Sequence, residues 1–439
     1  MVTPAHEATD VLIIGGGPAG STAAILLAEA GHRVVLLEKA HHPRFHIGES
    51  LLPANLPLFE RLGVAAQVRS IGMEKWGAEF VSPWHGHAET FHFADAWDKS
   101  QPYAYQVRRS DFDEILFRRA AQQGAQVVEG CRARSVEFGD GGLIRVTASL
   151  DDGSPRCWDA RFLVDASGRD TFLANHFQIK RRNRRHNSAA IFGHFTGARR
   201  HADQQAGNIS IFWFEHGWLW FIPLADGSTS VGAVVWPAYM KSRTVPAAEF
   251  LLDTIKLCPP LAARLQEAKL VSEVEATGNY SYVADRCYGR NYLLLGDAFA
   301  FVDPVFSSGV WLAMHSAVSG AEVADACLRH PRLAPAAMQR FASVVRHGTK
   351  TYSWFIYRVT TPAMRDLFMQ PRNPWRVKEA LLSVLAGDIF GRTPIWRSLA
   401  AFKGVYYTTS LANLRRTVMA WRRRRHLVRL PVREEAAWR

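Results

Sequence analysis

Three glycines and a later glutamate have the spacing of a dinucleotide-binding turn. Gly15, Gly17 and Gly20 follow the apolar run 11–14, and Glu38 closes a second apolar run. In such a turn the first glycine allows a tight bend, the second lets the backbone approach a pyrophosphate, and the third lets a helix pack closely on a strand. The glutamate is placed to accept ribose hydroxyls. The pattern predicts a dinucleotide site but does not distinguish NAD from FAD.

A distant segment indicates which dinucleotide is bound. Residues 293–299 place Asp297 at the end of an apolar strand, ahead of the glycine-bearing residues 304–309 and a long predicted helix. This segment resembles the second flavin motif of the FAD-dependent monooxygenase superfamily, in which the aspartate binds a hydroxyl on the sugar part of FAD. Residues 106–113 and 165–169 also resemble that superfamily. The resemblance implies FAD as the cofactor.

Four shorter strings resemble a narrower family, the flavin-dependent halogenases of the type that acts on phenols and pyrroles. Residues 218–223 carry W-x-W-x-I-P, and residues 301–309 carry F-x-x-P-x-x-S-x-G. Residues 44–53 and 75–80 also look like that family. The resemblance implies a set of FAD-binding residues: Gly15, Gly17, Pro18, Ala19, Gly20, Glu38, Lys39, Arg44, Ser50, Arg109, Asp297, Pro304 and Gly309.

The alternation of Trp218, Trp220 and Ile222 places their side chains on one face of a strand. These residues fit the ordinary core of a half-buried sheet. The resemblance gives them, together with Pro223, a second interpretation as a barrier between the flavin and the aromatic substrate. Such a barrier would prevent direct hydroxylation of the substrate and would require a small diffusible oxidant.

The turn at residues 304–309 also has two interpretations. It is the flavin-binding turn that hydroxylases share, or its backbone N–H groups additionally hold a halide, since an anion without directional requirements can be bound by backbone donors. Under the second interpretation, Ser307, Ser308 and Gly309 bind chloride or bromide.

Lys75 is the residue that the resemblance makes catalytic. A single lysine is most often a surface charge, but residues 72–80 are apolar enough that an inward-facing amine would be desolvated and its pKa easily shifted. An amine can hydrogen-bond hypohalous acid or form a haloamine. We expect Lys75 to receive the oxidised halogen.

One position departs from the tryptophan halogenases, which have a glutamate where Phe306 stands here. This difference argues against free tryptophan as the substrate. A phenol or pyrrole is already electron-rich, and its own OH or NH can release the proton after attack. The general base is left open, with His85, His87 and His92 as weak candidates.

The resemblance implies an FAD-dependent halogenase that uses reduced FAD, oxygen and chloride or bromide to make hypohalous acid and halogenate a phenol or pyrrole in secondary-metabolite biosynthesis. We expect a separate flavin reductase to supply the reduced FAD, because the sequence has no second glycine fingerprint for NAD(P)H. Three alternatives stay open. They are an aromatic hydroxylase, an oxidoreductase like the geranylgeranyl reductases, and a non-catalytic flavoprotein that binds a partner through its basic tail.

The order of the elements predicts an α/β protein with a Rossmann-type FAD-binding domain, an inserted mixed or antiparallel substrate-facing sheet, and a helical C-terminal region. The FAD-dependent monooxygenase-like module spans residues 1–330, and the basic helical region spans residues 331–439. Within the module, the FAD-binding parts are at about 1–75, 106–175 and 285–330, and the sheet is at about 76–105 and 176–284.

The composition limits the class of protein. With 439 residues, 48% of them hydrophobic and 21% charged, the chain can form large cores. It has no apolar run long enough to span a membrane, and its first ten residues lack the layout of a signal peptide. The five cysteines are widely spaced without a CxxC pair, so we expect no disulfide framework, no metal site and a cytoplasmic location.

The net charge of +13 is concentrated at one end of the chain. Residues 331–439 hold 21 Lys and Arg against 5 Asp and Glu. This tail is a solvated surface, a dock for an acidic carrier protein that presents a tethered substrate, or at most a peripheral membrane contact. Nucleic acid is not an expected partner, because no zinc finger, RRM or KH signature is present. The densest basic positions are Arg415, Arg416, Arg422, Arg423, Arg424, Arg425, Arg429 and Arg433.

Overall fold

A computed structural model describes residues 6–183, 186–278 and 281–428 of the chain. The strands are β1 His6–Ile14, β2 Val34–Leu37, β3 Met73–Lys75, β4 Gly77–Ser82, β5 His87–His92, β6 Ala104–Gln106, β7 Gln126–Val128, β8 Cys131–Phe138, β9 Ile144–Leu150, β10 Pro155–Asp165, β11 Lys180–Arg182, β12 Ala189–Thr196, β13 Ile209–Phe214, β14 Gly217–Pro223, β15 Thr229–Val235, β16 Lys269–Leu270, β17 Glu275–Gly278, β18 Tyr282–Ala284, β19 Tyr288–Gly289, β20 Tyr292–Leu294 and β21 Ala300–Phe301. The helices are α1 Pro18–Glu29, α2 Leu56–Leu62, α3 Ala65–Ile71, α4 Arg109–Gln122, α5 Phe172–His176, α6 Pro237–Lys241, α7 Ala247–Lys256, α8 Pro259–Arg264, α9 Ser308–Arg329, α10 Ala334–Ile356, α11 Pro362–Met369, α12 Val377–Ala386, α13 Trp396–Ala412 and α14 Leu414–Val428.

The first sheet holds the glycine turn. Its strand order is β19-β20-β10-β1-β2-β7, with β9 joined to β10 and β8 joined to β9. The predicted strand–helix–strand unit is confirmed, because residues 11–14 pair in parallel with residues 34–37 and α1 connects them. These two strands are buried on both faces, which explains why they are continuously apolar rather than alternating.

The second sheet is the mixed sheet that the sequence predicts. Its order is β16-β12-β15-β14-β13-β4-β5, with β17 paired to β12. The strands β12 to β15 pair antiparallel, whereas β4 joins β13 in parallel from a distant part of the chain. Alternate residues face two different cores: Trp218, Trp220 and Ile222 lie in one, and Leu219 and Phe221 in the other with α7 and α8.

The C-terminal helices pack on this second sheet. Phe368 of α11 contacts the rings of Phe80 and Phe91, with centroids 4.8 and 5.4 Å away. Helix α10 contributes to two cores, since Phe341 lies with the first sheet and Phe355 with the second. The division at residue 330 therefore stays a prediction.

Among the described helices, we find none that combines the length and the apolar character needed to cross a bilayer.

Candidate active site

The glycine turn has the predicted geometry. Gly15 has a φ of +106°, and a Cβ atom there would lie 2.3 Å from the carbonyl oxygen of Ala166. A Cβ atom on Gly20 would lie 1.8 Å from the carbonyl oxygen of Gly15, so α1 can pack on the turn only without one. A Cβ atom on Gly17 would meet only the Arg44 guanidinium, at 3.5 Å. The backbone at Gly17 is therefore open to an approaching ligand at the N-terminus of α1.

Glu38 lies at the end of β2 and is held by backbone donors. Its carboxylate accepts hydrogen bonds from the Gly16 N–H at 2.8 Å and from the Ala40 N–H at 3.0 Å. The side chain is 4% exposed and lines a large cavity beside the glycine turn. A buried, oriented carboxylate in this place can accept hydrogen bonds from ribose hydroxyls.

Two arginines of the cavity are fixed by one buried carboxylate, Asp113. Arg109 forms two hydrogen bonds to it at 2.8 and 2.9 Å, and Arg44 approaches it to 3.3 Å. Burial opposes the charge, but the two guanidinium groups hold the pKa of Asp113 below its usual value. Among the described residues, Arg44 Nε has no hydrogen-bond partner although it is buried. This donor is available to an anionic ligand such as a phosphate.

Asp297 follows β20 and also lines the large cavity. Burial raises its pKa to about 6, while Arg169 and Arg109 act in the other direction. Its carboxylate lines the cavity together with Pro304 and Gly309, and a Cβ atom on Gly309 would have nothing within 4 Å. This end of the cavity thus combines a carboxylate with uncovered backbone.

The predicted cofactor residues converge on one cavity of about 840 Å³. The glycine turn, the helix N-terminus, the unpartnered Arg44 Nε and the carboxylates of Glu38 and Asp297 fit a dinucleotide. Gly20 lies behind the turn, where it serves helix packing. The sequence-predicted residues that line the cavity are Gly15, Gly17, Pro18, Ala19, Glu38, Lys39, Arg44, Ser50, Arg109, Trp218, Trp220, Ile222, Asp297, Pro304, Ser307 and Gly309.

Strand β14 forms one wall of the cavity. The rings of Trp218 and Trp220 lie 6.0 Å apart, and Trp220 Nε1 donates to Ser230 Oγ at 3.1 Å. Gly232 on the neighbouring strand makes room for Trp220, since a Cβ atom there would lie 2.3 Å from the indole ring. Pro223 follows Ile222, so its side chain is on the other face of β14. It does not line the cavity, and the wall does not include it.

Lys75 is buried beside this cavity without lining it. Strand β3 pairs with β6, which turns the side chain inward until it is 1% exposed. Its amine donates to Ser50 Oγ at 2.9 Å and to the Leu51 carbonyl at 2.8 Å, and it lies 5.3 Å from the centre of the Phe93 ring. No acidic side chain pairs with it within the three described ranges. Burial therefore lowers the pKa of Lys75 to about 7.

The turn before α9 is tightly folded. Ser307 has a φ of +55°, and α9 begins at Ser308, so the N–H groups of Ser308 and Gly309 belong to its first turn and have no partner within the helix. The side chain of Ser308 faces a second cavity of about 40 Å³, whose lining also includes Asp297, Pro304 and Gly309. Ser307 instead faces the large cavity and donates to Ser50 Oγ at 2.9 Å.

The structure adds a buried acid–base pair that sequence reasoning missed. Glu49 lines the large cavity, is 1% exposed, and accepts a hydrogen bond from His194 Nε2 at 2.8 Å. Its other carboxylate oxygen has no hydrogen-bond partner among the described residues. The only sequence signal was the position of Glu49 beside Ser50, because 145 residues separate it from His194.

Two of the three histidines left open as bases, His85 and His87, have structural contacts. His85 bonds to Ser82 Oγ at 2.7 Å and to Asp366 at 3.1 Å, and His87 bonds to the Met369 carbonyl at 2.8 Å. These contacts connect the turn after β4 to helix α11. Neither histidine lines the large cavity.

Comparison with known proteins agrees with this geometry. Residues 8–323 match a family model described as an FAD binding domain. The Tryptophan 2-halogenase of Chondromyces crocatus is 36% identical over 321 residues, covering 72% of this chain and 60% of that protein. The 1H-pyrrole-2-carbonyl-[peptidyl-carrier protein] chlorinase of Pseudomonas fluorescens is 29% identical, covering 87% of this chain and 89% of that protein.

A solved structure extends the similarity over nearly the whole chain. The myxobacterial chondrochloren halogenase CndH, described as a variant of FAD-dependent halogenases, superimposes with a TM-score of 0.77. It is 31% identical, and the match covers 92% of this chain and 97% of CndH. The chain therefore belongs to the flavin-dependent halogenases.

Proposed function

We propose that the protein halogenates an electron-rich aromatic compound, a phenol or a pyrrole, by way of Lys75. The observation that carries the proposal is a buried amine that has no carboxylate partner among the described residues and is hydrogen-bonded to a serine that lines the cofactor cavity. Reduced FAD, when bound, would supply the two electrons that activate oxygen, and the activated oxygen would oxidise chloride or bromide to hypohalous acid. The residues of this chain bind, separate and direct the reactants.

The cofactor residues have distinct tasks in this proposal. Gly17 and the first turn of α1 bind the pyrophosphate. Glu38 and Asp297 accept hydrogen bonds from hydroxyl groups of the cofactor. Arg44 donates a hydrogen bond through its Nε, which has no partner among the described residues. The N–H groups of Ser308 and Gly309, with Ser307 beside them, hold the halide. Trp218, Trp220 and Ile222 keep the aromatic substrate away from the cofactor ring.

Lys75 transfers the halogen in two balanced steps. The neutral amine and hypohalous acid form an N–halogen bond and release water, with one amine hydrogen leaving in that water. The aromatic carbon then takes the halogen, and the hydrogen displaced from that carbon restores the amine. The substrate needs little further activation, because the OH of a phenol or the NH of a pyrrole supplies electron density to the ring.

The substrate class follows from local chemistry. Phe306 is 4% exposed and stacks near Phe368, with centroids 6.3 Å apart, so the position held by glutamate in tryptophan halogenases offers no carboxylate here. This supports a phenol or pyrrole over free tryptophan. Since one relative is named a tryptophan halogenase, free tryptophan belongs in the substrate panel.

Two partners complete the proposal. A separate flavin reductase supplies reduced FAD, and the substrate is presented on an acidic carrier protein. The name of the pyrrole chlorinase gives that relative a substrate on a peptidyl-carrier protein. The basic tail supports such a partner electrostatically. All five cysteines are buried and unpaired, which supports a cytoplasmic protein.

The decisive experiment is a halide-dependent assay. The protein is incubated with FAD, a flavin reductase, NAD(P)H, oxygen and either chloride or bromide, with free and carrier-bound phenols, pyrroles and indoles. Mass spectrometry should show halogen isotope patterns with the wild type and none with Lys75→Ala, while both bind FAD equally. A product that forms equally without halide would instead indicate a hydroxylase or an isoprenoid reductase.

A further inference from the structure

Ser50 occupies a position between the candidate catalytic amine and the cofactor cavity. Its Oγ is 2.9 Å from Lys75 Nζ on one side and 2.9 Å from Ser307 Oγ on the other. Ser50 and Ser307 both line the large cavity, whereas Lys75 does not. The three groups form a continuous hydrogen-bonded chain that ends at the turn before α9.

The backbone around Ser50 is fixed from both sides, so this chain does not depend on a flexible loop. Ser50 forms an antiparallel bridge with Gln106, the Leu51 N–H donates to the Tyr105 carbonyl at 3.0 Å, and the Val107 N–H donates to the Glu49 carbonyl at 2.8 Å. Strand β6 therefore aligns Ser50 with Lys75, which pairs with Ala104 on the same strand. Both ends of the Lys75–Ser50 hydrogen bond rest on one strand.

The chemistry of Lys75 requires such a connection. The amine must lose its extra proton before it can form an N–halogen bond, yet no carboxylate in the described part of the chain pairs with it. Its second partner, the Leu51 carbonyl, only accepts hydrogen bonds. A serine hydroxyl accepts one hydrogen bond while donating another, so it can pass a proton along.

Building on the proposed function, we infer that Ser50 and Ser307 form a proton-transfer chain through which Lys75 exchanges its proton with the cofactor cavity. When Lys75 is in its ammonium form, the two hydroxyl groups first rotate from the arrangement in which Ser307 donates to Ser50, so that Ser50 donates to Ser307. The ammonium then gives a proton to Ser50 Oγ, Ser50 gives its own to Ser307 Oγ, and Ser307 releases one to water in the cavity, which leaves the neutral amine that forms the N–halogen bond. No charge accumulates on either serine. Ser50 is thus a positioning residue for Lys75 rather than only a lining residue of the FAD site.

The test compares Ser50→Ala with Ser50→Thr, which keeps a hydroxyl. Three quantities are measured for each variant: FAD affinity, halogenated product, and free hypohalous acid caught by a diffusible chlorination trap. Because Ser50 also lines the cofactor cavity, product is measured at saturating reduced FAD, where we expect Ser50→Ala to release trappable oxidant. Its halogenated product should fall by at least about tenfold, and Ser50→Thr should recover most of that loss.

The solvent isotope effect and the pH profile give a readout that a purely structural role would not change. In Ser50→Ala, product formation should show a larger solvent deuterium isotope effect and an altered rise with pH. Ser383→Ala is the matched control, because Ser383 is also buried and accepts a hydrogen bond from the Trp97 N–H at 3.1 Å, outside the cavity. If Ser50→Ala does not fold, Ser307→Ala tests the same chain from its other end.

Two results would overturn the inference without affecting the proposed function. The first is wild-type product formation and isotope effect in Ser50→Ala while Lys75→Ala is inactive. The second is a loss of product that matches a loss of FAD affinity, which would make Ser50 a cofactor contact only. If Lys75→Ala itself halogenates normally, the proposed role of Lys75 is wrong, and proton transfer through the two serines is not needed for halogenation.

Discussion

At the scale of single residues, the most unusual group is the Lys75 amine, which is buried with only neutral hydrogen-bond partners. Burial lowers its pKa to about 7, so the neutral form becomes the majority only above that pH. We expect the rate of halogenation, at saturating reduced FAD, to rise with pH through about 7 and then level off. Lys75→Arg, which stays charged, should show no such rise and no product. A wild-type rate that is flat between pH 5.5 and 8.5 would contradict this prediction.

The same amine should cost stability, and the sign of its pH dependence can be worked out. Its pKa is about 7 in the folded protein against 10.5 normally, so below pH 7 both states hold the proton and the full penalty applies. The penalty, on the order of 5 kcal/mol, shrinks as the pH approaches 10.5. Lys75→Met should therefore raise the free energy of unfolding more at pH 6 than at pH 9. Denaturant unfolding at both pH values measures this difference, and an equal or reversed difference would be inconsistent with it.

Sequence reasoning found some of these residues and not others for physical reasons. Glu38 and Asp297 follow apolar strands, so their places could be predicted from the chain itself. Lys75 was identified through the resemblance alone, because its burial depends on the pairing of β3 with β6. The contacts of Ser50 to Lys75 and Ser307 join residues 25 and 257 positions apart, and no local pattern encodes them.

At the scale of elements, substitutions in β14 test whether this strand must separate the flavin from the aromatic substrate. Trp220→Ala removes a ring that is 5% exposed and lines the cavity, at a cost of about 3–5 kcal/mol in stability. If the strand is a barrier, the variant should form about tenfold less halogenated product and begin to hydroxylate a phenol directly. Trp220→Phe should behave closer to the wild type. Mass spectrometry of the products distinguishes these outcomes, and an unchanged product ratio in Trp220→Ala would remove the barrier role.

The contact between α1 and the glycine turn gives a second prediction at this scale. In Gly20→Ala the new methyl would lie 1.8 Å from the Gly15 carbonyl oxygen, so the helix must move and the phosphate site with it. We expect at least a tenfold loss of FAD affinity, measured by flavin fluorescence. Gly404→Ala is the control, since that glycine lies within α13 with open space around it and the change should stabilise the helix slightly. Wild-type affinity in Gly20→Ala would show that the turn tolerates displacement.

The elements also show where prediction from sequence ended. Strands β1 and β2 could be predicted because a short crossover pairs neighbours along the chain. The parallel pairing of β4 with β13 joins segments more than a hundred residues apart, so the width of the second sheet was not apparent. The position of helix α11 could not be predicted for the same reason, because it depends on aromatic contacts to the distant strands β4 and β5.

At the scale of the whole molecule, the basic tail divides into two sets of arginines. Arg416 and Arg423 form ion pairs with Asp366 and Glu215, and Arg424 donates to the Tyr357 carbonyl. Arg429 and Arg433 lie outside the described residues. The outward set is exposed together with apolar side chains of α13 and α14: Arg415, Arg422, Arg425, Leu411, Leu414 and Trp421.

The outward arginines are exposed and form no ion pair among the described residues, so replacing them alone is a sharper test of the proposed carrier contact than removing every basic residue. In the triple variant Arg415→Gln, Arg422→Gln and Arg425→Gln, we expect kcat/KM for a carrier-bound substrate to fall about tenfold at low salt, and much less at high ionic strength, where such attraction is screened. Turnover of the same aromatic compound in free form should not change. The matched control replaces Arg199, Arg332 and Arg340, three exposed arginines outside helices α13 and α14. Equal losses in both triple variants would mean that total charge, and not this face, attracts the carrier, while no loss in either would leave the tail a solvated surface.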